Sequence, residues 1–241
     1  MTRQEGFVCG PMKILAISDI HGNGHVYEWI PALIRDHGID ALVLAGDLVG
    51  GHGNDLTIEE AQRRESEQII KILQSLQIPV SYIMGNDDMV ELGYQDALVH
   101  PIHFIRRNLQ ECNFVGYQFS PPFMGGIFEK PENEIGRDLL QIEPLLDDKT
   151  VLVTHSPAYG ILDVADQEFH VGSPSIAKVI ELHPVRAHIH GHIHKCFGRE
   201  GNHFNVAAGG DFRAMVIDLD NLAHKVVTAD KKDRLSGPRY I

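Results

Sequence analysis

The stretch MKILAISDIHG, residues 12–22, carries the first evidence of the fold. Its first seven residues, 12–18, are almost continuously apolar, which is typical of a strand buried on both faces. The run ends at Asp19, and the apolar residues that follow are spaced to form a helix over residues 25–36. The ordered part of the chain is therefore expected to begin with a strand, an acidic turn and a helix, as α/β proteins do.

The same pattern recurs further along the chain. A second buried strand is predicted at 40–45, a helix opens with a capping box at Thr57 and Glu60, and a third strand follows at 79–84. Three such alternations imply right-handed crossovers and a partly parallel sheet. The remaining predicted elements are strands at 102–105, 114–119, 150–154 and 185–190 and in three runs after Phe204, and helices at 136–146 and 174–182. We therefore expect an α/β fold with two packed mixed β-sheets flanked by helices.

Composition limits the classes of function. The chain has 241 residues, of which 43% are hydrophobic and 22% charged, enough for one substantial core. We expect a single domain at 12–229, with an N-terminal extension at 1–11 and a polar tail at 230–241. A net charge of −12 argues against binding to a nucleic-acid tract. No apolar stretch is long enough to predict a membrane partner, and the first ten residues do not resemble a signal peptide.

The cysteines add to this picture. The three, at positions 9, 112 and 196, are widely spaced and include no Cys-x-x-Cys pair, which argues against zinc held by thiolates. We expect them to be free thiols in a reducing compartment, and the protein to be cytoplasmic.

Polar side chains follow the predicted buried strands at the point where each strand ends. These residues are Asp19, Asp47, Asn86 and His155, with His192 and His194 just beyond the strand at 185–190. The carboxyl ends of such strands are where open α/β sheets build their sites. Two carboxylates brought together there need a cation to neutralise them. Oxygen and imidazole ligands without thiolate suit Mn, Fe or Zn, and an Asp able to bridge favours two ions.

Five segments carry a family resemblance. They are DIHGN at 19–23, GD at 46–47, GNDD at 85–88, TH at 154–155 and GHIH at 191–194. In order and spacing they resemble the five motifs of the calcineurin-like metallophosphoesterases. The resemblance implies a four-layer α/β/β/α sandwich and hydrolysis of phosphate esters by a hydroxide that bridges two divalent or trivalent metal ions. It assigns Asp19, His21, Asp47 and His194 to one metal, and Asp47, Asn86, His155 and His192 to the other.

The sequence departs from the common family pattern at Asp87. Many members have a His there, which protonates the leaving oxygen or steadies the phosphoryl group. A small subgroup of phosphodiesterases also lacks it, and this chain is similar to that subgroup. A site without the usual acid favours good leaving groups. We therefore expect a phosphodiesterase rather than a monoesterase, acting on small phosphoesters that include nucleotide-like ones.

Three nearby residues have open roles. His52 is a candidate replacement acid or phosphate contact, and a solvent-exposed loop histidine is an equal alternative. Asp87 is a candidate proton donor or orienting group, although two adjacent cations favour its ionised form. Asp88 is expected to help hold the metal ligands in position without taking part directly.

Other histidines and one loop have mainly structural interpretations. His188 and His190 are expected to be structural or to support the ligands. The aromatic residues of loop 119–137 either cover the site and select a base or an apolar leaving group, or pin the loop to the core, and the second interpretation is slightly favoured.

Two other functions use the same residues. One is a metal-stabilised interaction scaffold, disfavoured because no ligand position is lost. The other is a protein Ser/Thr phosphatase, disfavoured because the usual His is absent. A metallo-β-lactamase-like hydrolase is disfavoured as well, because the GHIH segment lacks that family's Asp-His pair.

Overall fold

The computed structural model describes residues 12–51, 56–165, 169–207 and 212–229. The strands in these ranges are β1 Lys13–Ile17, β2 Ala41–Ala45, β3 Val80–Ile83, β4 Val99–Pro101, β5 Arg106–Leu109, β6 Cys112–Tyr117, β7 Thr150–Thr154, β8 Ala187–His190, β9 Gly198–Glu200, β10 His203–Asn205, β11 Arg213–Asp218 and β12 His224–Thr228. The helices are α1 Gly24–His37, α2 Ile58–Ser75, α3 Glu132–Ile142 and α4 Pro174–Leu182.

The strands form two six-stranded mixed sheets. The first has the order β12-β11-β1-β2-β3-β4, and the second has the order β5-β6-β7-β8-β10-β9. Strands β1 to β4 are parallel, as are β6, β7, β8 and β10, and antiparallel strands complete each sheet. The predicted α/β fold with two packed mixed sheets and flanking helices is confirmed.

The layers follow from side-chain alternation along each strand. In β1, Ile14 and Ala16 belong to the core between the sheets, together with Val151 and Ile189 of the second sheet. Leu15 lies in the core that includes the apolar face of α1. A third core packs the outer face of the second sheet against α3 and α4. Strand β1 is therefore buried on both faces, which explains its continuous apolar sequence.

Local signals set several element ends. Thr57 accepts the backbone N–H of Glu60 at 3.2 Å and Glu60 accepts that of Thr57 at 3.0 Å, which is the predicted capping box. Ser173 caps α4 by accepting the N–H of Ile176 at 3.2 Å. Helix α3 begins and ends four residues before the predicted 136–146, and a 3-10 turn at Glu143–Leu145 continues it.

The strand predicted at 102–105 is wrong. The N–H of Ile105 donates to the carbonyl of Ile102 at 3.0 Å, and Phe104 has a φ of 55°, so these residues form a turn. The turn joins β4 of the first sheet to β5 of the second. Ile102 is apolar because it is buried between the sheets, which sequence periodicity does not distinguish from a strand.

The prediction of free thiols holds only in part. Cys196 is free, but Cys112, at the start of β6, is disulfide-bonded. Cysteine spacing along a chain does not report which thiols meet in space. Within the described ranges, no helix is both long and apolar enough to cross a membrane. The proposed terminal segments, 1–11 and 230–241, lie outside these ranges.

Arg107 links the two sheets at their edge. It belongs to β5, yet its guanidinium donates to the carbonyls of Val80 and Leu98 at 2.6 and 2.8 Å and to Ser81 Oγ at 3.1 Å, all near β3 and β4. The side chain is almost completely buried. The guanidinium of Arg107, on a strand of the second sheet, therefore hydrogen-bonds polar groups of the first sheet.

We predict that Arg107→Met lowers the free energy of unfolding by about 2 kcal/mol or more, because it removes several hydrogen bonds from a charged donor to buried acceptors of the first sheet. Arg63→Met, which removes an exposed i,i+4 pair with Glu59 on α2, should cost about 0.5 kcal/mol or less. Urea denaturation of the two variants and the parent measures both values. Equal costs would contradict the linking role of Arg107.

Candidate metal centre

The candidate site lies where the carboxyl ends of strands from both sheets meet. Backbone hydrogen bonds tie the loops together there. The N–H of Asp19 donates to the Gly46 carbonyl at 3.0 Å, and the N–H of His21 donates to the Asp47 carbonyl at 2.9 Å. The N–H of Gly191 donates to the His155 carbonyl at 3.1 Å. These bonds join the end of β1 to that of β2 in the first sheet, and the end of β7 to that of β8 in the second.

The backbone is strained at four of the seven predicted ligands. The φ angles of Asp19, His21, Asp47 and His192 are 57°, 49°, 53° and 69°. Residues with a side chain rarely adopt these left-handed angles, and clusters of them occur mainly at functional sites. Here they turn each side chain out of its strand end and into the shared site.

Asp19, His21 and His194 form a first group of converging ligand atoms, all within 4.8 Å of one another. His194 Nε2 lies 3.2 Å from Asp19 Oδ1, and Asp19 is only 1% exposed. The backbone N–H of His192 also donates to the Asp19 carboxylate, at 3.0 Å. Burial would raise the pKa of Asp19, but the His194 hydrogen bond and the charges of His155 and His194 together hold it well below its usual range.

Asp19, Asp47 and His155 form a second group. His155 Nε2 lies 3.3 Å from Asp47 Oδ2 and 3.0 Å from Asn86 Oδ1. Its Nδ1 faces the Ala45 carbonyl at 2.9 Å, so the ring is oriented with Nε2 toward the site. Although burial lowers it, the pKa of His155 is raised to about 10, chiefly by the charge of Asp47.

His192 completes the site beside His155. Their ring centroids are 5.2 Å apart, and His192 lines the same cavity as Asp19, Asp47 and Asn86. Burial, with the charge of His155, lowers the pKa of His192 to about 4. Its ring is therefore neutral at physiological pH, which is the state in which imidazole binds metals.

These residues fit two metal ions by the chemistry of their donors. Two carboxylates, Asp19 and Asp47, are 1% and 3% exposed and lie together, an arrangement that requires positive charge. The two groups share Asp19, while Asp47 Oδ2 lies 3.3 Å from His155 Nε2 and 4.0 Å from His21 Nε2. Asp47 thus lies between a histidine of each group, and its assignment as the bridge stays a prediction. The structure brings all seven predicted ligands to one site.

Asp87 contacts a predicted ligand directly. Its Oδ2 lies 3.1 Å from His21 Nδ1, and its backbone N–H donates to Asp47 Oδ1 at 2.8 Å. The hydrogen bond with His21 is the main reason why the pKa of Asp87 is lowered. A carboxylate on one nitrogen of an imidazole turns the other toward a metal. The structure therefore places Asp87 where it orients His21.

Asp88 holds the loops behind the ligands. It is fully buried, and its carboxylate accepts the N–H groups of Leu48, Val49 and Gly85 at 2.8, 2.9 and 2.8 Å. These bonds join the loop after β2 to the loop after β3. Gly85 must be a glycine, since a Cβ there would lie 2.3 Å from Asp47 Oδ1. This arrangement agrees with the supporting role expected for Asp88.

Other predicted residues stand apart. His188 is buried, 2.8 Å from Thr154 Oγ1 and 3.0 Å from His203 Nδ1, and it stacks on His190. His190 Nε2 is buried without a hydrogen-bond partner among the described residues. Neither belongs to the two ligand groups. His52 lies outside the described residues.

Two apolar residues line the cavity, although the sequence favours a structural role for their loop. The cavity has a volume of about 400 Å³. Its lining includes Phe123 and Met124, which belong to the loop whose aromatic residues were expected mainly to pin it to the core. The sequence signal was present in the run FMGG at 123–126, but its orientation depends on contacts with distant residues.

A model of the calcineurin-like phosphoesterase family matches residues 12–196, a range that contains every one of these ligands. The chain belongs to the calcineurin-like phosphoesterase family. The family binds two divalent metal ions, in agreement with the two groups of donors. Membership supports a hydrolase that acts on phosphate esters.

Known proteins resemble the chain over most of its length. An uncharacterised protein of Methanocaldococcus jannaschii is 30% identical over 204 residues, which are 79% of this chain and 85% of that protein. An archaeal phosphodiesterase superimposes with a TM-score of 0.52 at 13% identity, covering 90% of this chain and 100% of that one. A dimetal phosphatase from Danio rerio gives 0.55 at 11% identity, covering 91% and 99%. At such low identity the two structures support the fold alone.

We predict that Asp87→Ala lowers the affinity of one metal site by about 10- to 100-fold, because His21 loses the group that orients it. Asp87→Asn should lose less, since its amide oxygen still accepts a hydrogen bond from His21 Nδ1–H. Competition titration of Mn²⁺ against a chelator measures both affinities. If Ala and Asn weaken binding equally, or neither does, Asp87 does not act through His21.

Proposed function

We propose that this protein is a phosphodiesterase that uses two metal ions to hydrolyse small, nucleotide-like phosphate esters. The observation that carries the proposal is the convergence of buried carboxylates and imidazoles from two sheets in one open cavity. A structural site would be closed, whereas a catalytic site keeps room for substrate. The proposal includes a single domain at 12–229 and a cytoplasmic location, as expected from the sequence.

The seven candidate ligands would hold the ions in the arrangement that the family resemblance implies. Asp19, His21, Asp47 and His194 would bind one, and Asp47, Asn86, His155 and His192 would bind the other. Bound Mn, Fe or Zn would supply positive charge for the phosphoryl oxygens and a water of lowered pKa. The chain itself supplies orientation, since Ala45 holds the His155 ring and Asp87 holds the His21 ring.

The charge of Asp87 supports a preference for diesters. Its side chain is 44% exposed, lines the cavity and has a lowered pKa, so it adds a fixed negative charge beside the substrate. A phosphomonoester near neutral pH carries up to two negative charges, whereas a diester carries one. Repulsion by Asp87 therefore weakens monoester binding more. A phosphopeptide is a monoester, so the same argument disfavours a protein Ser/Thr phosphatase.

Asp87 also explains why good leaving groups are expected. Its carboxylate hydrogen-bonds His21 and remains ionised, so it is a poor proton donor. Aryl and nucleoside leaving groups depart with less need of protonation than alkyl alkoxides. The candidate acid His52 is tested separately by His52→Ala, and a change in turnover of less than a few-fold would remove it from the mechanism.

The scaffold alternative has less support. A protein that binds partners through this fold has no need to retain all seven candidate ligand positions, and none of them is lost from this sequence. We therefore favour an enzyme.

The test is a metal and substrate screen. Metal-depleted protein is reconstituted with Mn, Fe, Zn or Ni and assayed on bis-para-nitrophenyl phosphate, cyclic nucleotides and para-nitrophenyl phosphate. We expect turnover with at least one metal and a higher kcat/KM for the bis ester than for the monoester. Asp47→Asn should lose about hundredfold or more in activity. Asp36→Asn, which changes an exposed carboxylate on α1, serves as the matched control.

The results of the screen test the diester preference and the enzyme proposal separately. A higher kcat/KM on the monoester would contradict the diester preference while leaving a phosphoesterase. Absence of turnover with every metal and ester would contradict the enzyme and favour the scaffold.

A further inference from the structure

The apolar residues of the loop between β6 and α3, here called the β6–α3 loop (residues 118–131), fall into two groups. Phe128 is 4% exposed and packs in the core beneath the first sheet, and Phe119 packs against the same core. Phe123 and Met124 are 63% and 71% exposed and line the cavity of the candidate metal centre. Two residues therefore pin the loop, and two are presented to the cavity.

Hydrogen bonds fix the conformation of this loop. The carboxylate of Glu129 accepts the N–H groups of Phe123, Met124 and Gly125 at 2.8, 2.8 and 2.9 Å. The N–H of Ser120 donates to the Phe128 carbonyl at 3.0 Å and closes the base of the loop. The Glu129 carboxylate therefore holds the backbone that carries the exposed Phe123 and Met124 side chains.

The same loop packs on the metal centre. A Cβ on Gly126 would lie 2.2 Å from the carbonyl oxygen of Asn86, so only glycine allows this approach. The ring of Phe123 meets the ring of His192 edge to face, with centroids 5.3 Å apart at 81°. The loop is therefore in direct contact with two predicted metal ligands, His192 through the Phe123 ring and Asn86 through the backbone at Gly126.

The lining of the cavity is chemically mixed. Besides the carboxylates and imidazoles of the predicted metal ligands, it includes the apolar residues Phe123, Met124, Ala165 and Ile193 and the charged residues Asp87 and Lys195. Its volume of about 400 Å³ lies within the range of small-molecule sites. A ligand that reaches from the metal centre to Phe123 and Met124 has a phosphate at one end and an apolar surface at the other.

We infer that Phe123 and Met124 form a subsite for a planar, unsaturated ring joined to the phosphate, such as a nucleobase. Aromatic rings stack on other rings and contact thioether sulfur favourably, whereas a bare sugar offers neither interaction. The inference rests on the proposed function, because the phosphate must be held at the metal centre for the ring to reach the subsite. It identifies nucleotides or aryl phosphoesters as the substrate class.

The test compares two ligands that differ only by a base. Isothermal titration of Mn-loaded protein gives the affinities of adenosine 5′-monophosphate and ribose 5-phosphate. We expect the nucleotide to bind about tenfold more tightly. Phe123→Ala should remove most of this ratio of affinities, and Phe123→Trp should retain it. Ile127→Ala is the matched control, since Ile127 lies on the same loop, is 56% exposed and is not among the residues that line the cavity.

Several results would overturn the subsite. Equal affinities for the two ligands, or a ratio that Ile127→Ala lowers as much as Phe123→Ala, would contradict it. So would a change of sedimentation mass in Phe123→Ala without a change in the ratio, which would make the patch a contact between copies of this chain. If the base preference is found but no ester is hydrolysed in the metal screen, the subsite stands and the proposed function fails.

Discussion

The close placement of two buried carboxylates is the constraint on which the rest of the site depends. Asp19 and Asp47 come from adjacent parallel strands, and together they are unfavourable in a protein interior unless positive charge is near. The surroundings supply part of it. His194 hydrogen-bonds Asp19, and Asp47 is the main charge that raises the pKa of His155 to about 10 against the effect of burial. A metal-binding site explains why these groups lie together on a strained backbone, because metal ions supply the positive charge that the two carboxylates require.

The features predicted from sequence are those that depend on neighbours along the chain. Strand β1 follows from the apolar run 12–18, and the start of α2 follows from Thr57 and Glu60. The ends of buried strands indicate where the candidate polar residues lie, and the family resemblance implies their roles as ligands. Apolar periodicity failed at 102–105, where Ile102 is buried in a turn that crosses between the sheets. Sequence spacing reports burial there, but not the conformation that achieves it.

The features that sequence did not predict depend on contacts between distant residues. The bond between Asp87 and His21 joins positions 66 residues apart. The exposure of Phe123 depends on Glu129 and on the contact of Gly126 with the Asn86 carbonyl. Both features bear on function: the contact with His21 favours the orienting role among the two roles expected for Asp87, and Phe123 lines the cavity.

The central proposal is that these residues would hold two metal ions, with Asp47 as a ligand of both, and electron paramagnetic resonance of the Mn²⁺-loaded protein tests it most directly. At saturation we predict two Mn²⁺ per chain and the spectrum of an exchange-coupled pair. In Asp47→Asn the coupling should be lost. A single uncoupled Mn²⁺ signal in the parent protein at saturating metal, with one ion bound per chain, would contradict the account.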